Sequence, residues 1–294
     1  MAEVLNSSGR LWAVDKLILA YLAGIGALVA VCWNRLPEAP ILLALHVVAA
    51  IAIVWASTSD GRVVRYLRYW YPLPLVGCCY KEMAILIPAV RGVSADQWLA
   101  DLDFSIWRAN PTVWLERIQT PALTDLLQLA YTLFVPAVLL VPWLLWRSRR
   151  FAEFRYCAFL IAMGFLASYV GYILVPARGP RFLLDHLQHS PLQGGWGVQA
   201  MRTTLDRLES AQYDCFPSGH CELTIIAWRI SRLISRRLSF VYLVYTLCIV
   251  FATVYLRYHY TVDLLAGGMV AAVLIVAGPP MYRKLSGSED SIGA

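Results

Sequence analysis

The sequence predicts an all-α, polytopic membrane bundle of about eight transmembrane helices. Three observations carry that reading. Of the 294 residues, 59% are hydrophobic and only 15% are charged, against about 25% charged in ordinary soluble domains. The apolar residues fall into runs close to the roughly 20 residues that one bilayer crossing takes. The basic residues cluster between alternate runs, as membrane orientation requires. The mean hydropathy of +0.59 excludes a disordered chain and argues against a soluble globular enzyme.

The first run, Leu17–Trp33, has the look of a signal-peptide core, but no cleavage site follows. Val31 precedes Cys32 where a lipoprotein box would need another residue, so the run reads as a retained helix. The second is Ile41–Ala56. The third is Leu73–Val90, with Lys81 and Glu82 inside it as a candidate structural pair. Ser94–Thr120 interleaves Trp98, Trp107 and Trp114 with Asp96, Asp101, Asp103, Arg108 and Glu116, which suits amphipathic helices lying at the interface. The remaining runs are Leu123–Trp146, Phe154–Val175, Ser218–Ile234, Phe240–Leu256 and Thr261–Tyr282. Residues 1–73 therefore hold two N-terminal helices, residues 74–284 a six-helix core, and residues 285–294 a polar tail. Within the core, 91–120 is interfacial and 177–217 is a long outer loop.

Arg62, Arg65 and Arg68, then Arg147, Arg149, Arg150 and Arg155, then Arg232, Arg236 and Arg237, and finally Arg283 and Lys284 mark alternate connections as cytoplasmic. Both termini then lie inside, and residues 177–217 and 257–261 share the outer face. The net charge of +6 is explained by this topology, so no nucleic-acid partner is implied. Lysine occurs only as Lys16, Lys81 and Lys284. The seven cysteines show no metal-type spacing, and the helix start between Cys215 and Cys221 disfavours pairing them.

Three polar segments share the outer face. In Asp214-Cys215-Phe216-Pro217-Ser218-Gly219-His220, proline and serine before an apolar run mark a helix start. Ser218 is thus a plain N-cap or, with Gly219 and the free N–H groups of the first turn, part of an anion site. His220 would face the same anion. In Arg257-Tyr258-His259-Tyr260-Thr261-Val262-Asp263, the histidine and aspartate are four apart and share a face on a helix. Such an aspartate fixes the tautomer of a catalytic histidine. Pro176-Ala177-Arg178-Gly179-Pro180-Arg181 supplies guanidinium groups that either snorkel to headgroups or clamp phosphate oxygens. His46, alone in the second run, reads as a packed core residue, and His186 and His189 as loop residues. The inventory is that of phosphoryl transfer through a phosphohistidine. Carboxylates are too few and scattered for a two-metal site, and no cofactor is implied.

These segments resemble the type 2 phosphatidic acid phosphatase superfamily of integral-membrane lipid phosphatases and phosphotransferases. Pro217-Ser218-Gly219-His220 matches its PSGH motif, His259 and Asp263 match the HxxxD end of its third motif, and Gly179-Pro180-Arg181 matches part of its first. The likeness runs from about Ser94 to Tyr282. It implies His259 as nucleophile, Asp263 as its orienting group and His220 as acid to the leaving oxygen. It implies Ser218, the Gly219 N–H and Arg181 as phosphate ligands. The first-motif lysine has no counterpart and the third-motif arginine falls at Thr253, which leaves Arg178 and Arg257 as substitutes. The GPR segment, the bare HYTxD and Tyr131 are similar to the inositol-phosphorylceramide-synthase-like branch, and sphingomyelin synthases share HYTxD. The expected function is hydrolysis of a long-chain lipid phosphate or diphosphate at the outer face of a bacterial cytoplasmic membrane. The alternatives are phospho-headgroup transfer to a lipid alcohol and a non-catalytic lipid-binding or transport role. The sequence does not fix the lipid or the oligomeric state.

Overall fold

A computed structural model describes residues 10–195, 197, 200–204 and 212–287. The polar tail beyond residue 287 and residues 205–211 of the outer loop lie outside the described residues. The helices are α1 Ala13–Val31, α2 Ala39–Thr58, α3 Arg62–Trp70, α4 Pro72–Val90, α5 Asp96–Trp107, α6 Pro111–Trp114, α7 Pro121–Thr132, α8 Phe134–Arg147, α9 Phe151–Leu174, α10 Pro180–Leu183, α11 Gly219–Ser231, α12 Arg236–Tyr255 and α13 Thr261–Ser286. The one β-bridge among the described residues joins Ala177 and Asp214. The protein is an all-α integral membrane bundle.

Among the described residues, six helices are long and apolar enough to cross a bilayer: α1, α2, α4, α9, α12 and α13. The pair α7–α8 makes a seventh if its 46° bend lies within one span. Each apolar run of the sequence is thus helical, but not each is a straight crossing. The sixth run forms α11, which has only 13 residues. At 1.5 Å per residue that is about 20 Å, short of a hydrocarbon core of about 30 Å. The bend of α7–α8 falls at Leu133, and Pro136 lacks the N–H that would continue the helical ladder. Near the break the Ala130 carbonyl accepts from Tyr245 of α12 at 2.8 Å, and the Ala137 carbonyl from Tyr242 at 2.6 Å.

Helix α9 is the hub. It packs against α1, α4, α8, α11 and α13, and α11 in turn packs on α8, α12 and α13. Helices α4 and α8 both lie on α9 with little direct contact between them. The start of α11 presses against α13 at Gly267, where any Cβ would run into the Ser218 carbonyl. A small residue is needed there for the two helices to approach so closely. Helix α1 shares this core through its contact with α9, and α2 lies on its outer side, packed on α1 and α3. Helix α2 presents Ile41, Val48, Ile51 and Trp55 outward, as a lipid-facing helix does.

Buried charge in the N-terminal layer is paired. His46 reaches Glu82 at 3.1 Å, so it is a hydrogen-bonded core residue as its sequence context indicates. Glu82 therefore faces His46 of α2 rather than its neighbour Lys81, which is exposed. At the other end of α1, Asp15 accepts from the Trp12 N–H at 2.7 Å, from Arg68 at 2.6 Å and from the Tyr71 hydroxyl at 2.5 Å. Asp15 and Arg68 are both buried. Removing one partner of a buried pair strands the other charge, so Asp15→Ala is expected to cost about 3–5 kcal/mol. Unfolding in mixed detergent micelles reads this. A loss below about 1 kcal/mol, the worth of an exposed pair, would show that Arg68 escapes to water.

Candidate active site

Two carboxylates on one face of α5 position the motif loops. Asp96 and Asp103 are buried together with Leu99 and Ala100, while Trp98, Phe104, Ile106 and Trp107 face outward. Asp96 accepts from the Arg178 N–H at 2.8 Å, the Gly179 N–H at 2.7 Å and the Tyr260 hydroxyl at 3.1 Å. Asp103 accepts from the Thr261 N–H at 2.8 Å, the Thr261 hydroxyl at 2.7 Å and the Val262 N–H at 2.9 Å. It thereby caps α13 from another helix, since first-turn N–H groups have no partner within their own helix. Gly179 has φ +99° and its Cα abuts the Tyr258 carbonyl, so a Cβ there would sit 2.6 Å from that oxygen. Only glycine tolerates both conditions.

The third segment leaves regular helix at Tyr255. Arg257 takes a left-handed φ of 69°, and the N–H groups of Tyr258 and His259 both reach back to the Thr253 carbonyl at 2.9 and 3.2 Å. His259 therefore precedes α13 instead of lying on it. It still meets Asp263 in the first turn, Nδ1 to Oδ2 at 3.4 Å. The same oxygen accepts from the Tyr260 N–H at 2.8 Å and the Cys215 thiol at 2.8 Å. The Nε2 of His259 points to Nδ1 of His220 at 3.5 Å. His220 stands in the first turn of α11, its ring stacked on Tyr131 at 4.4 Å and against Phe134 at 4.3 Å, on either side of the α7–α8 bend. Tyr131 stacks in turn on Tyr258 at 4.4 Å.

Both histidines open onto a cavity of about 320 Å³. Arg178, Arg181, Asp214, Cys215, Gly219 and Tyr258 border its polar end, and Leu73, Val76, Gly77, Val135 and Phe165 line the rest. The Arg178 guanidinium lies 4.2 Å from the Phe182 ring and donates to Gln212 at 3.3 Å. That of Arg181 lies 4.8 Å from the Tyr258 ring and 4.9 Å from the Phe182 ring.

The structure thus brings together His259, His220, Asp263, Arg178, Arg181 and Gly219. Ser218 is fully buried as the N-cap of α11, accepting from the Cys221 N–H at 3.4 Å, and is not among the cavity-lining residues. Arg257 stands apart from the cavity. Its left-handed backbone turns the side chain onto Glu116 at 2.8 Å and the Ser190 carbonyl at 2.8 Å. Burial lowers its pKa despite Glu116. It ties the 115–118 turn to the outer loop. All seven cysteines are free.

Four contributors are not singled out as site residues by the sequence: Asp96, Asp103, Tyr80 and Asp214. Asp96 and Asp103 are seven apart and so share one face of α5, away from Trp98; the spacing is visible in the sequence, but what that face covers is not. Asp214 accepts from Tyr80 of α4 at 2.6 Å at the cavity wall. Burial raises its pKa, against the pull of the Tyr80 hydroxyl, His259 and Arg181. Burial also raises the Cys215 thiol, helped by Asp263.

Fold and site together define an integral-membrane protein with a histidine pair at the polar end of an apolar cavity. The PAP2 superfamily model matches residues 97–277, from α5 into α13, and the chain belongs to that superfamily, whose members are generally phosphatases. A PA-phosphatase related-family protein of Dictyostelium discoideum is 30% identical over 109 residues, covering 36% of this chain and 20% of that protein. The chain thus aligns with about a fifth of that relative's length. No solved structure matches the chain.

The raised carboxyl of Asp214 has a stability consequence. Between the ordinary carboxyl value of 3.8 and its raised folded value, the folded protein holds a proton that the unfolded chain has released. Stability contributed by this group therefore falls as pH rises through that window. Asp214→Asn is expected to flatten the decline, read as the thermal midpoint against pH in detergent. An unchanged slope in the variant would contradict the assignment.

Proposed function

We propose that the protein hydrolyses a phosphate or diphosphate monoester of a long-chain lipid through a phosphohistidine at His259, with no metal required. The observation that carries this reading is the His259–His220 pair, 3.5 Å apart, at the polar end of a cavity whose other walls are apolar. Asp263 holds the proton on Nδ1 of His259 and leaves Nε2 as the nucleophile, as the aspartate of a catalytic triad does. Nε2 attacks phosphorus while His220 gives a proton to the departing lipid oxygen. His220 then takes a proton from water as that water attacks the phosphohistidine, releasing phosphate. Arg178, Arg181 and the N–H groups of the α11 first turn stabilise the phosphoryl oxygens. Ser218 serves this site by capping that turn.

A lipid substrate is supported by the cavity wall. Leu73 and Gly77 of α4 and Val135 of α8 line the cleft between two helices that pack on α9 with little contact between them. Gly77 and Val135 are exposed on the bundle's flank, so an acyl chain can lie in the bilayer while its headgroup reaches the histidines. The arginine clusters support a site on the extracytoplasmic face with both termini cytoplasmic, a topology in which α11 and its apolar turn count as a crossing, and we take the membrane to be a bacterial inner membrane. The second reading is transfer to a lipid alcohol. It draws on Asp214, a carboxyl beside the cavity that can accept a hydrogen bond from an acceptor hydroxyl.

The test uses the purified full chain in detergent with EDTA and a lipid phosphate, with and without a lipid alcohol. Release of inorganic phosphate supports hydrolysis, and product formed only with the alcohol supports transfer. His259→Ala is expected to lose about 10³-fold or more, and His220→Ala about 10²–10⁴-fold. The wild type is expected to yield an acid-labile, alkali-stable phosphoenzyme that His259→Ala lacks. Full activity in His259→Ala, or no turnover with any lipid phosphate, would overturn the proposal.

A further inference from the structure

The buried thiol of Cys215 has no part in the phosphoryl chemistry above. It lies 2.8 Å from Oδ2 of Asp263 and 3.6 Å from Nδ1 of His259, and those two atoms are 3.4 Å apart. Thiolate, imidazole and carboxylate are the ligand types of zinc. For a tetrahedral ion with bonds of about 2.3 Å to sulfur and about 2.0–2.1 Å to nitrogen and oxygen, ligand atoms stand about 3.5 Å apart on edges that include sulfur and about 3.3 Å on the nitrogen–oxygen edge. Two of the three edges already have these lengths. The third needs the thiol and the carboxylate to separate by about 0.7 Å. The other carboxylate oxygen, Oδ1 of Asp263, is buried without a hydrogen-bond partner, so the acid has an unused ligand atom. Cys215 and His259 both border the cavity, which supplies a route for an ion and a fourth position for water or a phosphate oxygen.

We propose that Cys215, His259 and Asp263 form an inhibitory binding site for one thiophilic divalent cation, such as Zn²⁺ or Cd²⁺. The ion replaces the thiol proton, which leaves to solvent, and no electron is transferred. A metal on Nδ1 confines the proton of the neutral ring to Nε2, the atom that would attack phosphorus. The blocking effect rests on the proposed role of His259, whereas binding itself does not.

The test therefore reads binding and activity separately. Cadmium chloride is added to the purified full chain in detergent without chelator, and the ultraviolet thiolate-to-cadmium charge-transfer band is followed in wild type, Cys215→Ser and Cys215→Ala. One equivalent of the band is expected to be lost in both variants. In the wild type, zinc or cadmium is expected to protect Cys215 from alkylation, located by peptide mass spectrometry. Where turnover is measurable, each ion is expected to inhibit wild type at least about 10-fold more strongly than either variant, and Mg²⁺ to have no effect. A band that does not depend on Cys215, alkylation of Cys215 unaffected by metal, or equal inhibition of wild type and variants would overturn the proposal. If no lipid phosphate is turned over, the band and the alkylation still decide whether the site exists.

Discussion

Two aspartates on α5 hold the site together. Asp96 fastens the loop of Arg178 and Gly179, and Asp103 fastens the start of α13, so one amphipathic helix fixes the spacing between the arginines and the His259 segment. The cause is elementary. Loop N–H groups beside a cavity have no strand or helix to pair with, and leaving them buried and unpaired costs about 1–3 kcal/mol each. Carboxylates accept several such donors at once and bind them more strongly than neutral acceptors do. Where charges are scarce, these two are used to set backbone, and their effect on the histidines is indirect.

Among the described residues, two buried histidines pair with a carboxylate, and their surroundings separate them. His46–Glu82 lies between α2 and α4, with the distal Nδ1 of His46 against Gly26 of α1. His259–Asp263 has a cavity, a second histidine at Nε2, a helix N-terminus and two guanidinium groups within the same wall. The pair itself is therefore no mark of chemistry, since each simply gives a buried carboxylate a histidine partner. What differs is whether the distal ring nitrogen faces packed side chains or a space that a phosphoryl group can enter.

This contrast also explains what was legible in the sequence. The helices follow from apolar runs, because a bilayer imposes one length and one polarity on each crossing. The residues at His220, His259, Asp263, Arg178 and Arg181 follow because they sit in short motifs beside helix ends. The short α11 was not legible. Its run continues through Leu233 and Ile234 into the turn, and hydropathy does not distinguish an apolar turn from a further helical turn. The fate of Arg257 was not legible either, because it depends on a left-handed residue and on Glu116, which is 141 positions away. Asp96 and Asp103 stand out only once α5 is known to lie across the site with their face turned inward. A local pattern shows a face and does not show what that face covers.

The near-absence of lysine, three residues in the whole chain, then has a physical reading. A lysine beside phosphate is a hydrated point charge on a flexible stem, and fixing it costs side-chain entropy. Arg178 and Arg181 are instead held by rings, with Phe182 under both and Tyr258 under Arg181. A ring face orients a planar guanidinium and leaves its charge in place. Tyr258 belongs to a stack that continues through Tyr131 to His220. The same aromatic column thus sets a guanidinium at one end and an imidazole at the other. An anion entering between them meets a guanidinium and an imidazole whose positions depend on one another. The tyrosines of that column, which carry no formal charge, are what allow so few charged groups to be placed so closely.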